Sequence, residues 1–473
     1  MKSFAIRIYV VALVLRLIPV LLSYNLPIGL DDMFQYDMLG RSLAAGEGYR
    51  WYAQEDIDLL LSYIDIEFIG DDYDPRGVLT SFRAPAYPAF LAVLYKIGGL
   101  ENRFFITRLV QVFIGALLAP MTYYLGKRMF PKQARIGGYG AIAMAGYPML
   151  VVYPLALATE NIFIPLLLGA VLMLLRAGDS HLTRDYVFVG ILLGLTSLTR
   201  SVVTAIIPFM MLWAWLYAKD KKALVIIPAF VLLFTMPWAI RNTLLHDRFT
   251  YVESSMGYNL YLGYHPEGTG TFQFGISLDL LPYLDDAERD AAGMQAAMNF
   301  VRADPGRVFE LMLLKLSHFF SMERRALSYF YTNNLLGFIP LPVLLMVSIL
   351  YWSPFVILAS LAAVGLSFVE MTKERKLIML VMFAYLLPHV LIFSEERFHL
   401  TIMPFLAVLA GYAWLKRKEI WARAKKPATR PAAILALVLI GLLFFNWGYE
   451  LTRDADKLAA MFGPEGNFAR FDY

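Results

Sequence analysis

The sequence contains no cysteine and few charged residues. Of its 473 residues, 17% are charged, whereas a typical soluble domain has about 25%. Without cysteine, the chain has no disulfide framework, no thiolate zinc site and no cysteine nucleophile. The low charge, together with 59% hydrophobic residues and a mean hydropathy of +0.57, excludes an ordinary soluble domain and indicates a polytopic membrane protein.

The chain also lacks any soluble-looking block of domain size between its apolar runs. The net charge of +4 comes from Lys and Arg in short clusters between these runs. That pattern is typical of cytoplasmic membrane loops, so nucleic acid is not an expected partner. The first apolar run has no small-residue cleavage site, and we interpret it as a retained span rather than a signal peptide. We predict one membrane domain over 1–449, with outer loops 25–103 and 241–306, and a short outward tail over 450–473.

The distribution of Lys and Arg predicts a topology. A helix needs about 20 apolar residues to cross a hydrocarbon core of about 30 Å. With a cytoplasmic N-terminus, thirteen spans place the basic clusters inside. We interpret 84–99, which contains Pro85 and Pro88, as an interfacial or re-entrant segment, because counting it would turn the basic 126–135 outward. The predicted spans are 5–24, 104–126, 136–156, 160–175, 185–199, 201–218, 223–240, 307–322, 335–351, 353–369, 377–393, 398–415 and 431–449.

Two adjacent acids, Asp31 and Asp32, follow the first span directly. The stretch "DDMFQYDMLGRSLAAGEGY" predicts a short amphipathic helix that is closed by Gly46 and Gly48. Acids at a helix N-terminus are stabilised by the helix dipole by about 0.3–1 kcal/mol, which is a purely structural explanation. In the functional explanation, a carboxylate at the membrane surface takes a proton from an acceptor hydroxyl. Both explanations are open at this stage.

Cations occur at the predicted outer ends of several spans. Arginine binds phosphate oxygens through paired donors, so arginines on one side of the membrane favour an anionic headgroup as ligand. The alternative for each arginine is that its side chain extends to ordinary lipid phosphates. The residues concerned are Arg83, Arg200, Arg241 and Arg397, with His399 beside the last.

Other outer-face residues also have two interpretations. Glu160 lies in a tight predicted turn, where it either serves function or belongs to the start of a helix that Thr159 caps. Tyr258, Asn259 and Tyr261 lie in a glycine-rich stretch whose aromatic rings suit either sugar stacking or an interfacial aromatic belt.

An acidic run extends from Trp51 to Arg76. It has eight acidic residues and one basic residue, and carboxylate oxygens bind divalent cations. The run lacks the ligand spacing of a calcium loop, so a solvated outer face is the better interpretation. We predict no metal site and no cofactor.

Six stretches, in order along the chain, resemble the GT-C superfamily of integral-membrane glycosyltransferases. They are similar especially to the bacterial branch that includes relatives of protein O-mannosyltransferases and the lipid A aminoarabinose transferase. The stretches are "DDMFQYDMLGRSLAAGEGY", "RAPAYPAFLAVLYKIGG", "TENIFIPLLL", "GILLGLTSLTR", "PWAIRNTLLHDRFTYVESSMGYNLYLG" and "EERFHLTIMPFLAVLAGY".

The resemblance implies an all-α GT-C fold with about thirteen transmembrane helices and interfacial helices in the first outer loop. It also implies inverting transfer of a monosaccharide from a polyprenyl-phosphate-linked sugar to a glycan, lipid or protein acceptor. Asp31 would then be the base and Asp32 its companion, while the four arginines and His399 would hold the carrier phosphate. Glu160, Tyr258, Asn259 and Tyr261 would contact substrate.

The resemblance further implies a multi-pass protein of the plasma (inner) membrane, with its N-terminus cytoplasmic and its site facing outward. Two other functions fit the same residues. A transporter or flippase of lipid-linked saccharide would need the arginines but no base, and such folds often show internal repeats, of which we find none. A polymerase of glycan repeats is the third possibility.

Overall fold

The computed structural model describes residues 2–29, 31–63, 73–332, 337–464 and 466–467. These residues form an almost entirely helical protein. The described strands are β1 (Arg50–Trp51) and β2 (Val78–Leu79), which pair antiparallel with Arg50 opposite Leu79. The all-α architecture predicted from the sequence is confirmed.

The first half of the chain supplies twelve of the described α-helices. They are α1 (Lys2–Leu22), α2 (Asp32–Ala45), α3 (Gln54–Leu60), α4 (Ala86–Gly98), α5 (Arg103–Ala116), α6 (Leu118–Met129), α7 (Ala134–Gly146), α8 (Pro148–Val152), α9 (Glu160–Ser180), α10 (Thr183–Thr199), α11 (Ile207–Leu216) and α12 (Ala223–His246). Short 3-10 turns cover Tyr153–Leu155 and Ser201–Ala205.

The second half adds the remaining described α-helices. They are α13 (Met256–Tyr264), α14 (Phe274–Ser277), α15 (Asp286–Ala303), α16 (Pro305–Phe319), α17 (Arg324–Thr332), α18 (Leu341–Phe368), α19 (Lys373–Leu391), α20 (Met403–Leu415), α21 (Arg417–Ala424), α22 (Arg430–Arg453) and α23 (Ala455–Phe462). Further 3-10 turns cover Leu278–Leu280, Glu396–Ile402 and Pro427–Thr429.

Within the described ranges, seven helical segments are long and apolar enough to cross a membrane, or up to eight if a bent pair counts as one span. In that pair, α7 and the segment Pro148–Leu155 meet at 53°. Helix α4 has 13 residues, too few to cross a hydrocarbon core. The predicted number of thirteen spans is not confirmed. The seven segments are Ser3–Leu22, Arg103–Met129, Glu160–Ser180, Ala223–His246, Leu341–Phe368, Glu396–Leu415 and Pro427–Arg453.

One predicted boundary between spans is wrong. Residues 335–351 and 353–369 were expected to be two spans that turn at Trp352, but α18 continues without interruption from Leu341 to Phe368. Pro354 lies inside this helix, where neighbouring helices and local backbone adjustment make a proline tolerable at membrane depth. Residues 335 and 336 of this prediction lie outside the described residues.

The predicted span 307–322 is not confirmed, because α16 has 15 residues and is not among the described segments long and apolar enough to cross a membrane. At its start, Arg307 donates to the carbonyl of Gly268 at 2.8 Å. Just past its end, Arg325 forms an ion pair with Glu395. Glu395 in turn accepts a hydrogen bond from Thr271, three residues beyond Gly268. Residues on both sides of α16 therefore contact the segment around Gly268 and Thr271, and the basic stretch 322–325, which was expected inside, lies beside Glu395.

A buried arginine stabilises the bend after α7. Arg16 has no exposed surface. Its guanidinium donates to the carbonyls of Met144 at 2.9 Å and Ala145 at 3.1 Å. These carbonyls at the end of α7 have no intrahelical donor, so the arginine satisfies them where the chain turns.

The two predicted outer loops are joined by a cluster, buried except for Asp285, that we call the polar joint. Its members are Ser81, His246, Ser254, Asp285 and Asp286. Ser81 Oγ lies 2.7 Å from His246 Nε2 and 2.8 Å from Ser254 Oγ. His246 Nδ1 lies 2.8 Å from Asp285, and the Ser81 backbone N–H donates to Asp286 at 2.7 Å. The joint fixes the segment that leads into Arg83.

Candidate active site

A cavity of about 1100 Å³ opens between the two outer loops and the adjoining helix ends. Its lining combines many charged side chains with aromatic and aliphatic ones. Concave sites with a few convergent polar groups are the usual location for ligands. The charged lining residues are Asp31, Asp32, Arg83, Glu160, Arg200, Glu253, Arg289, Arg325, Glu395, Glu396 and Arg397.

Asp31 is both a helix cap and a cavity residue. Helix α2 begins at Asp32, and Asp31 Oδ1 accepts the backbone N–H of Met33 at 2.8 Å. The helix ends at Gly46, whose φ of 83° belongs to the left-handed region that favours glycine. The predicted helix and its glycine end are thus confirmed. Because Asp31 is exposed and lines the cavity, the cap does not remove it from a ligand.

Asp32 forms ion pairs with two arginines from distant parts of the chain. One carboxylate oxygen pairs with Arg83 and the other with Arg397. Arg83 Nε also donates to Gln35 at 3.0 Å. Burial raises the pKa of Asp32, but the charges of Arg83 and then Arg397 outweigh burial and hold that pKa well below its usual range. Asp32 is therefore a poor base and instead holds the two guanidinium groups together.

A second ion pair lies deeper in the cavity. Glu160, 3% exposed, pairs with Arg200. Thr159 Oγ1 also donates to Glu160 at 3.2 Å, and Thr159 forms no side-chain cap on α9. The guanidinium of Arg200 lies over the ring of Phe398, 4.9 Å from its centroid. The structure thus places Glu160 and Arg200 together in the lining of the cavity.

The structure adds five charged lining residues that the sequence interpretation missed, namely Glu253, Arg289, Arg325, Glu395 and Glu396. Arg325 pairs with Glu395, and its backbone N–H donates to Glu396 at 2.5 Å. Glu253 accepts a hydrogen bond from the Ser201 hydroxyl. The acids beside Arg397 in "SEERFHL" were visible in the sequence, but Arg325 was expected on the opposite side. Glu253 lies just before the glycine-rich stretch in which Tyr258, Asn259 and Tyr261 were predicted to contact substrate.

Three residues predicted to contact substrate do not line the cavity, and this corrects their expected placement. Arg241 donates to the carbonyl of Thr80 at 2.6 Å. His399 is fully buried between the Phe319 carbonyl and Glu323, each at 2.8 Å. The hydroxyl of Tyr261 donates to Asp279 at 2.7 Å. Each side chain turns toward packing within the protein, whereas Tyr258 and Asn259 do line the cavity.

No group of three or more His, Asp or Glu side chains in the described ranges is arranged to hold a metal ion. Part of the acidic run from Trp51 to Arg76 lies outside those ranges, namely 64–72. Of its other acids, Asp56 pairs with Arg41, and Asp74 pairs with Arg50 and Arg76.

A family model described as dolichyl-phosphate-mannose-protein mannosyltransferase matches residues 83–240. No curated protein sequence matches the chain significantly. The matched segment includes Arg83, Glu160 and Arg200.

The chain is similar in structure to the oligosaccharyltransferase of Archaeoglobus fulgidus in its apo form, with a TM-score of 0.51 and 16% identity. The match covers 98% of this chain and 59% of that one. A structure of the same archaeal enzyme, AglB, with an inhibitory peptide and a dolichol-phosphate gives a TM-score of 0.50 at 17% identity, covering 98% and 58%. ArnT from Cupriavidus metallidurans bound to undecaprenyl phosphate matches at a TM-score of 0.41 and 13% identity, covering 90% and 79%.

The chain thus spans just under three fifths of the length of the archaeal oligosaccharyltransferase that it matches. At this identity the likeness concerns the fold. Together with the family model, it confirms the expectation that the chain has the GT-C fold of membrane glycosyltransferases and resembles that superfamily.

Proposed function

We propose that the protein is an inverting glycosyltransferase that moves one monosaccharide from a polyprenyl-phosphate-linked donor to an acceptor on the outer face of the membrane. One observation carries the proposal. An exposed carboxylate, Asp31, immediately precedes Asp32, whose two oxygens hold Arg83 and Arg397 at the same cavity. Transfer from a phosphate-linked sugar needs a base for the acceptor and positive charge for the leaving phosphate, and these residues supply both.

The roles follow from the partners of each group. Asp31 takes the proton of the acceptor hydroxyl as the oxygen attacks the anomeric carbon from the face opposite the phosphate. Arg83 and Arg397 bind the phosphate oxygens, where guanidinium groups form strong charge-assisted hydrogen bonds. Asp32 positions the two arginines. Positioned charge of this kind stabilises the transition state without any cofactor, and none is included in the proposal.

The remaining lining fits the rest of the two substrates. Arg200, paired with Glu160, adds a second cation. Tyr258 and Asn259 contact sugar or acceptor. The carrier's hydrocarbon chain has an apolar surface available in the lining side chains Met149, Val152 and Phe330.

Two comparisons support a lipid-linked donor. The description of the matching family model includes dolichyl-phosphate-mannose. One archaeal structure of the same fold holds a dolichol-phosphate. We further propose a multi-pass protein of the plasma membrane with a cytoplasmic N-terminus and an outward-facing site. The acceptor is a glycan, a lipid or a protein.

The test is incubation of the purified protein with a panel of polyprenyl-phosphate sugars and candidate acceptors. We expect one donor to release free polyprenyl phosphate as its sugar appears on an acceptor. If no donor is cleaved, while vesicles containing the protein move an intact lipid-linked saccharide between leaflets, the protein is a transporter and the proposal is wrong.

A further inference from the structure

Glu253 differs from most other acids of the cavity in its partners. Asp32, Glu160 and Glu395 each form an ion pair with at least one arginine. Glu253 forms no ion pair with any cation in the described part of the chain, and the Ser201 hydroxyl is the hydrogen-bond donor to its Oε1. Its other oxygen has no partner among the described residues. A carboxylate has about four acceptor sites, so Glu253 retains most of its capacity for a ligand.

Glu253 also lies close to the proposed phosphate site. Its charge is among those that raise the pKa of Arg83. Its partner Ser201 directly follows Arg200, at the point where α10 ends. In a sugar phosphate, the sugar is bonded to the phosphate itself. Groups beside phosphate-binding arginines are therefore where the sugar's hydroxyls come to lie.

Neutral polar and aromatic groups line the same cavity as this carboxylate. Asn259 lines the cavity, and its side-chain amide has no hydrogen-bond partner among the described residues. Phe82 and Tyr258, both in the lining, meet edge to face with ring centroids 5.3 Å apart. Aromatic faces pack against the C–H groups of a sugar ring. A carboxylate, a hydroxyl and an amide together suit a ligand with several hydroxyl groups, such as a neutral sugar, better than a ligand with a single cationic group.

We propose that Glu253, Ser201 and Asn259 form the subsite that binds the hydroxyl groups of the donor's sugar. The inference rests on the proposed function, because it assumes a sugar joined to the phosphate that Arg83 holds. It assigns selection of the donor sugar to the second outer loop and leaves Asp31 as the base.

The experiment measures the binding of two ligands to the full-length protein in detergent. One is undecaprenyl phosphate alone, and the other is the same carrier bearing a neutral hexose, taken from a glucose, mannose and galactose set. Wild type should bind one hexose-linked carrier more tightly than the bare carrier. Glu253→Gln should reduce this preference by roughly 10-fold or more, since hydrogen bonds to charged groups are the strong ones, and should leave bare-carrier binding unchanged.

Ser201→Ala should reduce the same preference by roughly three- to tenfold. The matched control is Glu267→Gln, because Glu267 is an exposed acid of the same outer loop that does not line the cavity. It should leave both affinities unchanged. Bare-carrier binding serves as the check that each variant is folded.

The two proposals fail differently. The subsite proposal is overturned if the wild-type protein shows no preference for any hexose-linked carrier. It is also overturned if Glu253→Gln weakens the binding of both ligands equally. Retained preference in both Glu253→Gln and Ser201→Ala overturns it as well. If the preference depends on Glu253 but no sugar is ever transferred, the subsite is supported and the transferase proposal is wrong.

Discussion

The same two outer loops build two polar clusters with opposite properties. In the polar joint, Ser81 has no exposed surface and Asp286 is 1% exposed, and Asp285 lies at the open edge with 42% of its side chain exposed. In the cavity cluster, formed by Asp32, Arg83 and Arg397, the side chains are 21–34% exposed. Ser81 and Arg83 are two residues apart in sequence, yet one faces inward and the other faces the cavity. Polar groups that satisfy each other away from water hold the fold together, whereas partly open ones keep capacity for a ligand.

The polar joint shows why atom order alone does not make a catalytic site. Ser81, His246 and Asp285 are linked in the order hydroxyl, imidazole and carboxylate, with 2.7 and 2.8 Å between successive atoms. This is the arrangement of an activated serine nucleophile. However, Ser81 is fully buried and also bonds Ser254 at 2.8 Å, so no substrate carbonyl can approach it. The cluster is structural.

The largest expected effect is on the cavity side. Asp31→Asn retains an oxygen that can cap α2 but removes the basicity, so turnover should fall about 10²- to 10⁴-fold. Donor affinity and the unfolding midpoint should remain close to wild type. The measurement is transfer rate against donor concentration. Near-normal turnover of Asp31→Asn would show that the base is a different acid: Glu160, Asp32 or Glu253.

The next effect distinguishes cavity arginines from structural ones. Arg397→Ala removes one of the two guanidinium groups proposed to bind the phosphate, and loss of one partner of a charged contact costs about 2 kcal/mol or more. We expect bare polyprenyl phosphate to bind about 30-fold more weakly. Arg241→Ala is the matched control, because Arg241 contacts the Thr80 carbonyl and not the cavity. Equal loss of affinity for polyprenyl phosphate in both variants would show that the cavity arginine and the structural arginine do not differ in this role.

A substitution in the polar joint should lower the stability of the protein rather than its affinity for polyprenyl phosphate. His246→Ala leaves the buried Ser81 hydroxyl short of a partner, which costs about 1–3 kcal/mol for a buried polar group. The unfolding midpoint should fall while the affinity for polyprenyl phosphate per folded molecule stays within twofold. The control is His181→Ala, since His181 is half exposed. A selective loss of donor affinity in His246→Ala would show that the joint belongs to the site.

The smallest expected effect concerns pH. The pKa of Asp32 is lowered in the folded protein, so its contribution to stability is present above the unfolded value of about 3.9. That contribution is lost only as pH falls further, toward the folded pKa. Binding of a sugar-linked donor should therefore change less than twofold between pH 7 and pH 5. A steep loss over this range would mean that Asp32 is not held by both arginines.

Local sequence patterns were sufficient to predict several features of the structure. The acids before α2 and Gly46 after it predicted the helix, because capping and the left-handed glycine end depend on neighbours within a few residues. The sequence also predicted Asp32, Arg83 and Arg397 as residues of one site, and the structure brings their side chains together. The motif order along the chain further pointed to the GT-C fold, which the structural comparison confirms.

The sequence by itself determined the membrane class, the helix after the first span and the supply of acids and arginines. Only the tertiary structure decided which of these groups meet. Hydropathy is averaged over a window of residues. It therefore did not show that α16 is too short to count as a candidate span, or that α18 is one long helix rather than two spans. The direction of a side chain depends on packing between distant segments, as in the ion pair of Asp32 with Arg397, 365 residues away. The same packing turns Arg241 and His399 away from the cavity and leaves Glu253 facing it.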